Sequence, residues 1–512
     1  MPVKETADSE RDQPLTALIS NAAAVRAVTE AVEGTLGPKG LDCMLVDQYG
    51  NVLVTNDGVT ILRLMEINHP AARLMIDAAL QQEAGVGDGT TTATVLTGAL
   101  IAEAVNQVNK GVPEIKVIAG IKAGIAAALE HLQAIAVPAP ALDSPILAQI
   151  ALIAGREHQD LAELVVKAAQ MAGATLLKDP AFKLADQIIA RDGVPSHLIQ
   201  GTVINREPLN KAMPQRMKDV KILILDDALE PVTIAADALR SKVGFEQSRC
   251  HQEEFLANVT NLVEWGVKAI FTDRGIADSV EDLLTEAGII AVPRVARHEW
   301  LRLAQMSGAR PVKRTTLGKP AAELSGIIGE VAAITVDECH KQLWVLGKEA
   351  QRFVTVVVGA ATPVVAAERE RIAKDAAAAV QAAWVGGVVP GGGSAELSLV
   401  RHLLKQPGEG LISYGVYCVM EALKRPLVQI CANAGFNPLE KLEAALVRLE
   451  AEDRAGFGVN CETGAVEDLT AAGIWDPYLV KHFAIKSAGE VSEAILRVKT
   501  IIKMKDTGVV SS

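Results

Sequence analysis

Apolar residues recur at helical spacing from Thr16 to Glu33, where Leu18, Ile19, Ala22, Val25, Val28 and Val32 share a face and Gly34 supplies a stop. A turn-rich loop, GTLGPKG at 34–40, follows. In MLVDQYGNVLVTNDGVTIL (44–62) the pattern shifts to two β-rich runs divided at Tyr49-Gly50-Asn51, which predicts a hairpin closed by the NDG turn. Helical spacing returns at Ala71, breaks at GVGDGTTT and resumes as two long helices over Ala93–Gln107 and Val112–Ala134. Val137-Pro138-Ala139-Pro140 interrupts it, and a helix over Leu161–Met171 leads to the turn Asp192-Gly193-Val194-Pro195. Between about Ser196 and Leu346 the short runs VKILILDD, KAIFTDRG and IIAVPRV alternate with helical stretches, as βαβ units do. Beyond Gly359 the chain is helical from Pro363 to Trp384, breaks at VVPGGGS and continues helical to about Glu452. The two ends thus share one character, with a separate α/β module between them and no short-period repeat of the solenoid kind.

At 512 residues the chain has room for about three domains of ~150 residues each. Its 49% hydrophobic and 22% charged residues suit several filled cores. A net charge of −12 and only 3% aromatic residues exclude nucleic acid as the main partner, because a phosphate backbone needs cations and bases need stacking platforms. The longest apolar run, Val354–Ala367, is too short to span a bilayer and contains Pro363, and the Ala-rich stretch after Val117 carries Lys122 and Glu130, so no membrane segment is expected. The opening MPVKETADSERD has no apolar core of the kind a signal or transit peptide needs, which places the protein in the cytoplasm. Cysteines 43, 250, 339, 418, 431 and 461 form no C-x-x-C pair and read as reduced thiols.

Three glycine-rich loops border predicted helices: Gly34–Gly40, Gly85–Thr92 and Gly391–Gly393. Glycine lets backbone N–H groups approach a phosphate, and a helix start presents about half a positive charge to it. Any one of these loops alone reads first as an ordinary turn; the set of three points to a nucleotide. Single-motif alternatives fail on the letters. Lys39 precedes the last glycine of its loop and Leu41 follows, so there is no P-loop. Gly85-Val86-Gly87-Asp88-Gly89 is not the dinucleotide fingerprint and follows a helical pattern rather than a strand. There is no G-x-S-x-G around Ser394, no H-E-x-x-H and no kinase catalytic loop. Asp57, Asp88 and Asp375 lie in or beside turns, and carboxylates with phosphate oxygens suit Mg²⁺, a hard cation. The competing reading of each is a carboxylate that caps backbone donors.

Taken together, TLGPKG, TNDGVTIL, GDGTTTATVL, ERIAKDA, VVPGGG and GAVEDLTAAGIWDP closely resemble the chaperonins, in order and spacing from about Thr16 to Met504. The resemblance implies a multidomain α+β/α fold. Its parts are a mostly helical equatorial ATPase domain formed by both chain ends (1–138 and 391–512), a small intermediate hinge domain (139–200 and 357–390), and an α/β apical domain (201–356) with a helical lid protrusion at about 229–258. INHPAARLM, GTVINREPLNKAMPQRMKDVKILILDDALE and that insertion are closest to the lidded archaeal and eukaryotic-cytosolic type, the thermosome-like group II; Cys461 and Asp476-Pro477 lean toward a bacterial group III branch.

The same resemblance implies ATP and Mg²⁺ as cofactors. It places Leu36, Gly37 and Pro38 near the nucleotide, Gly89, Thr90, Thr91 and Thr92 at the phosphates, Gly392 and Asn460 in the nucleotide pocket and Asp476 at the ribose. Asp88 would hold Mg²⁺, while Asp57 and Asp375 would orient and activate the attacking water, with Asp375 the catalytic base. Arg156 stands near the position where the lidded type has a lysine that senses the terminal phosphate; arginine keeps the charge but offers a planar fork. A surface arginine is the alternative.

The implied partners are non-native client proteins, held in a homo-oligomeric double ring with a built-in lid, no separate lid protein, no nucleic acid and no membrane. Four or five weak apolar contacts at ~1.5–3 kcal/mol each approach micromolar holding without sequence specificity. Phe245, Phe255, Leu256, Val259 and Leu262 are candidates for that surface, against the alternative that a stripe at helical spacing is core. Two rivals stand beside the folding machine: a passive ring without ATPase action, and a metabolic nucleotide-using enzyme with the middle module as substrate domain. The second needs a compact catalytic set outside the ATP loops, and the sequence offers none.

Overall fold

In a computed structural model, which describes residues 6–138, 141–232, 242–320, 323, 326–348 and 353–500, the helical stretches at the two chain ends gather into one unit and the strand-rich middle into another. The chain runs through α1 (Thr6–Glu33), β1 (Cys43–Val46), β2 (Val52–Thr55), α2 (Gly58–Leu64), α3 (Pro70–Val86), α4 (Thr90–Asn109), α5 (Glu114–Ile135), α6 (Pro145–Ala154) and α7 (Gln159–Leu177), the last broken at Gly173. The middle holds β3 (Ile188–Asp192), β4 (His197–Ile199), β5 (Gly201–Ile204), β6 (Arg216–Leu225), α8 (Lys242–Glu264), β7 (Ala269–Thr272), α9 (Asp278–Glu286), β8 (Ile290–Val292), α10 (Arg297–Ser307), β9 (Gly329–Asp337), β10 (Gln342–Leu346) and β11 (Thr355–Ala360). The chain then returns through α11 (Pro363–Gly386), β12 (Val388–Pro390), α12 (Ser394–Lys405), α13 (Ser413–Asn433), α14 (Pro438–Glu452), β13 (Phe457–Val459), β14 (Val466–Asp468), β15 (Trp475–Pro477) and α15 (Tyr478–Leu496).

The first unit takes Met1–Ala169, Lys183–Ala185 and Arg371–Ser512. At its centre is α4, apolar or small on nearly every side, with Leu96, Leu100, Ile101 and Ala104 buried against α1, α3, α13 and α15. Burying each such leucine or isoleucine contributes ~1.5–3 kcal/mol. Small residues set how closely the helices cross. A Cβ on Gly98 would stand 2.1 Å from Thr29 Oγ1, and the crossing of α5 with α13 rests on Gly120 facing Gly415.

The second unit takes Gln170–Phe182 and Asp186–Glu370. Its six-stranded sheet has the order β5-β10-β9-β6-β7-β8. β6, β7 and β8 are parallel and joined through helices, and the rest are antiparallel. β7 and β8 are buried at every position, as strands covered on both faces should be. A three-stranded sheet, β3-β11-β4, lies in the same unit.

Four sequence expectations change. The hairpin closes at Asp47, whose carboxylate accepts from the N–H groups of Tyr49 and Asn51, while the NDG stretch instead opens α2. GVTIL is therefore helical rather than part of the second strand. α4 starts at Thr90, because left-handed Gly89 starts the helix earlier than the apolar pattern at Ala93 does. The helical run to Glu452 is three helices, interrupted at 406–412 and 434–437. Finally, Phe255, Val259 and Leu262 are core: they seal α8 onto the sheet beside Leu223, Leu225 and Ile270, with Leu256 half-buried at the edge, so they offer no client surface. The side chain of Phe245 and residues 233–241 of the expected protrusion lie outside the described residues. Among the described residues no helix is long and apolar enough to cross a membrane.

An alanine normally strengthens a helix over glycine by up to ~1 kcal/mol. At Gly415 the added Cβ would meet Val117 O at 2.2 Å and the Cα of Gly120 at 2.6 Å, both backbone atoms that cannot swing away. Gly415→Ala is expected to lower the thermal midpoint, with a loss of about 1–3 kcal/mol in denaturant titration.

Candidate nucleotide site

The site is built around the first turn of α4. α3 ends at Gly87 (φ 74°), and Gly89 (φ 83°) is the N-cap of α4 with no side-chain oxygen to offer. The first N–H groups of this 20-residue helix, at Thr90, Thr91 and Thr92, therefore carry no side-chain cap, the arrangement that receives an anion. Three elements close on the turn because glycine lets them. A Cβ on Gly58 would lie 2.4 Å from Thr91 Oγ1, on Gly87 2.5 Å from Ala378 Cβ, and on Gly89 2.5 Å from Val480 Cγ1.

Carboxylates surround it. Asp57 caps α2 through Oδ2, which accepts from the N–H of Thr60 at 3.0 Å and from its hydroxyl at 2.5 Å. Its Oδ1 lies 3.5 Å from Nη1 of Arg371, and the same nitrogen is 3.3 Å from Oδ2 of Asp375, one turn along α11. Asn56 Oδ1 accepts from Nη2 of Arg371 at 3.4 Å and from Nη1 of Arg156. Arg156 and Glu157 follow α6 in left-handed backbone conformations, φ 50° and 61°, at a cost of ~1–3 kcal/mol each.

Electrostatics bind these groups into one field. Burial holds the Asp375 carboxyl well above its usual range, Arg371 opposes this, and Asp88, Asp57 and Glu83 reinforce it. Burial pushes Asp88 up to about 6, against the N–H of Gly89 at 2.5 Å. Burial raises Glu83 as well, with Asp88 and Asp57 adding to the effect. Among the described residues no three His, Cys, Asp or Glu side chains converge as a closed metal cage. Carboxylate oxygens such as those of Asp88 are the hard donors that Mg²⁺ takes one or two at a time, completing its shell with phosphates and water.

The opposite wall comes from the end of the chain. β12 pairs with β15 so that Val389 faces Asp476, which seats Asp476 beside the Gly391–Gly393 turn. α13 spaces two of the loops: Leu427 packs on Gly393, Ile430 packs on Gly37, and Asn433 Nδ2 donates to the carbonyls of Glu33 and Leu36 at 3.0 and 2.8 Å. Gly37 itself needs its left-handed φ of 87°, and Pro38 follows it on the surface. Gly392 is held against Leu469. Asn460 spends its side chain within its own hairpin, accepting from the N–H groups of Glu462 and Thr463 and donating to Glu467. Lys39 reaches that hairpin through a 2.5 Å ion pair with Glu462.

The structure thus brings Asp57, Asp375 and Arg156 together directly, through Arg371 and Asn56. It sets Asp88, Gly89 and the three threonines beside them, and it ties Leu36, Gly37 and Gly393 to one helix, with Gly392 held against Leu469 instead. Asn56, Glu83, Gln82, Arg371, Asn433 and Lys481 escaped the sequence reading. Arg371 alone had a local signal, its four-residue spacing from Asp375 within ERIAKDA.

An uncapped helix start beside carboxylates, in a bundle formed by both chain ends with an α/β unit inserted between them in the chain, is the arrangement that a multidomain nucleotide-binding protein would need. The chain matches the TCP-1/cpn60 chaperonin family over residues 28–506 and belongs to it. Thermosome subunit beta of Archaeoglobus fulgidus is 35% identical over 512 residues, covering 95% of this chain and 91% of that protein. Thermosome subunit alpha of Halobacterium salinarum is 32% identical, covering 98% and 90%. The crystal structure of a group III chaperonin in the open state is similar with a TM-score of 0.85 and 43% identity, over 96% of this chain and 100% of that one. The protein is accordingly an ATP-dependent chaperonin with a built-in lid, an ATPase coupled to the folding of client proteins in a double ring.

Asp88 holds its proton more tightly folded, at about 6, than its ordinary 3.8. Its charge therefore costs stability above about pH 6, and that cost fades as pH falls toward about 4. Asp88→Asn is expected to raise the melting temperature of nucleotide-free protein at about pH 7.5, with the difference from wild type closing below about pH 5. Differential scanning fluorimetry across that range reads it directly.

Proposed function

We propose that the subunit hydrolyses MgATP at the N-terminus of α4, with Asp375 as general base. The observation that carries this reading is Arg371 held between Asp57 and Asp375 beside an uncapped helix start. The N–H groups and hydroxyls of Thr90, Thr91 and Thr92 receive phosphate oxygens, Gly89 allows their approach, and Leu36, Gly37, Pro38, Gly392 and Asn460 line the rest of the nucleotide. Asp476 accepts from the ribose. Asp88 holds Mg²⁺, which when bound supplies positive charge to the phosphate oxygens and leaving group. Asp57 Oδ1 orients the attacking water. Asp375, whose burial makes it a stronger base than a free carboxylate, takes its proton as the bond to the departing ADP breaks. Arg156 meets the terminal phosphate in place of a lysine.

The domain plan we assign is an equatorial domain of 1–138 and 391–512, an intermediate domain of 139–200 and 357–390, and an apical domain of 201–356 that carries the lid at about 229–258. The break in α7 at Gly173 (φ 78°, ψ 165°) supports a hinge in the second of these. Moving such a hinge from almost fully open to almost fully closed takes about 5.5 kcal/mol of differential binding, supplied by nucleotide and ring contacts together. The lid being part of the chain, no separate lid protein is required, and the protein works in the cytoplasm.

Ring closure by identical subunits is supported by the β1–β2 hairpin. Met44, Val46, Val52 and Val54 are each more than half exposed, at 64, 62, 57 and 51%. A lone hairpin with an apolar surface is marginal and its free edge invites another strand, so a neighbouring copy is the natural cover. Val46→Lys/Val54→Lys is expected to shift the protein from ring to free subunits in sedimentation velocity; intact rings would remove the hairpin from the interface.

Hydrolysis tests the reading as a whole. Asp375→Ala rings should bind MgATP yet release phosphate ~10²–10⁴-fold more slowly, and should fail to recover a chemically unfolded client that wild type recovers. Intact wild-type rings with neither phosphate release nor client recovery would favour a passive ring instead.

A further inference from the structure

Below the pocket, α15 buries a lysine. Lys481 is 7% exposed, and its Nζ lies 2.6 Å from Oε1 of Glu396 and 3.0 Å from Oδ2 of Asp476. Glu396 belongs to the first turn of α12, directly after Gly391–Gly393, and is 1% exposed with Oε2 lacking any hydrogen-bond partner. Ions so far from water are poor sources of stability, since well-packed apolar residues in their place are often as good or better. The triad therefore calls for a reason other than stability. Its outer member supplies one: Asp476 is half-buried on β15, Lys481 engages its Oδ2, and its Oδ1 has no hydrogen bond among the described residues. The neighbouring residue ties the same turn of α15 to the phosphate loop. Val480 packs on Gly89, and its carbonyl accepts from Gln82 Nε2, which also donates to the carbonyl of Asp88.

We propose that Lys481 is a positioning residue for nucleotide selection: pinned from below by Glu396, it holds Asp476 by one carboxylate oxygen and leaves the other to accept from a ribose hydroxyl, so that the triad sets the preference for ribonucleotides over deoxyribonucleotides. This rests on the reading of Asp476 as the ribose contact. An ionised carboxylate only accepts hydrogen bonds, so it rewards a hydroxyl and gains nothing from the hydrogen of a deoxy sugar. Freed of Lys481, it can turn away, and the reward is lost. Lys481 touches no reacting atom, so KM should move and kcat should not.

The test titrates full-length rings with MgADP and its 2′-deoxy and 3′-deoxy analogues by calorimetry, and measures KM and kcat for the matching triphosphates. Lys481→Met leaves Glu396 charged and buried and is prone to unfold. Lys481→Met/Glu396→Gln removes one charge of each sign and is the deciding variant, with Asp476→Asn as benchmark. Wild type is expected to prefer one ribonucleotide roughly tenfold over a deoxy analogue, and both variants to lose that preference with a roughly tenfold higher KM for ATP. Lys481→Arg, which keeps the charge on a different geometry, should be intermediate. Undiminished preference in the charge-balanced variant or in Lys481→Arg, with Asp476→Asn having lost it, overturns the assignment of Lys481 alone. No preference in wild type and no effect of Asp476→Asn overturns the ribose reading and this inference with it.

Discussion

α4 is buried along most of its first three turns, and at its N-terminus the residue in the capping position is a glycine in a left-handed conformation. A serine, threonine or aspartate there would satisfy one of the orphan N–H groups; Gly89 satisfies none. Each unsatisfied donor costs ~1–3 kcal/mol when water is kept away, so the turn is stable only if it stays wet or meets an anion. The rest of the first unit respects that choice. Gly58 and Gly87 let α2 and α11 come within contact of the turn without covering it, and Gly89 itself could not be exchanged for a capping residue without striking Val480.

The same turn creates a problem of charge. Asp57, Glu83, Asp88 and Asp375 act on one another, and at an effective dielectric near 20 two unit charges about 4 Å apart repel by ~4 kcal/mol. The protein answers with its own cations: Arg371 between two of the carboxylates and Arg156 on the asparagine beside them. Lys481 does the same for Asp476 and Glu396 on the far wall.

How far the sequence foretells this site depends on whether the needed partners are near in the chain. Gly-Asp-Gly followed by three threonines is legible because glycine, turn and helix start are contiguous, and Asp57 is legible as a cap, which it makes through Oδ2 while its Oδ1 faces Arg371. Arg371 and Lys481 were missed because each also needs a remote partner besides its near one: Asp57 lies in another segment from Arg371 and Asp375, and Glu396 is 85 residues before Lys481. Apolar periodicity failed differently. It marks a face to be buried and says nothing of what buries it, so the stripe Phe255, Val259, Leu262 stays open to a client-surface reading beside the commoner one, the seam that α8 makes with its own sheet. Hairpin geometry misled for a third reason, since NDG is a strong turn signal whose aspartate was taken up by the helix that follows.

The contacts that hold the pocket together join residues nearly 400 positions apart: Gln82 with Val480, and Asn433 with Leu36 and Glu33. Such closure is often thought costly, yet each doubling of the enclosed chain adds only ~0.6 kcal/mol. The demand therefore falls on the quality of the closing contacts, not on the size of what they enclose, and a whole α/β unit fits between the two halves at little further expense. α13 meets that demand with three positions one turn apart, Leu427, Ile430 and Asn433, which seat two glycine loops from opposite ends of the chain on a single rigid helix. Because the nucleotide loops converge only after the ends have met, the ability to bind ATP belongs to the completed bundle, and a chain with its ends apart has no partial version of the site.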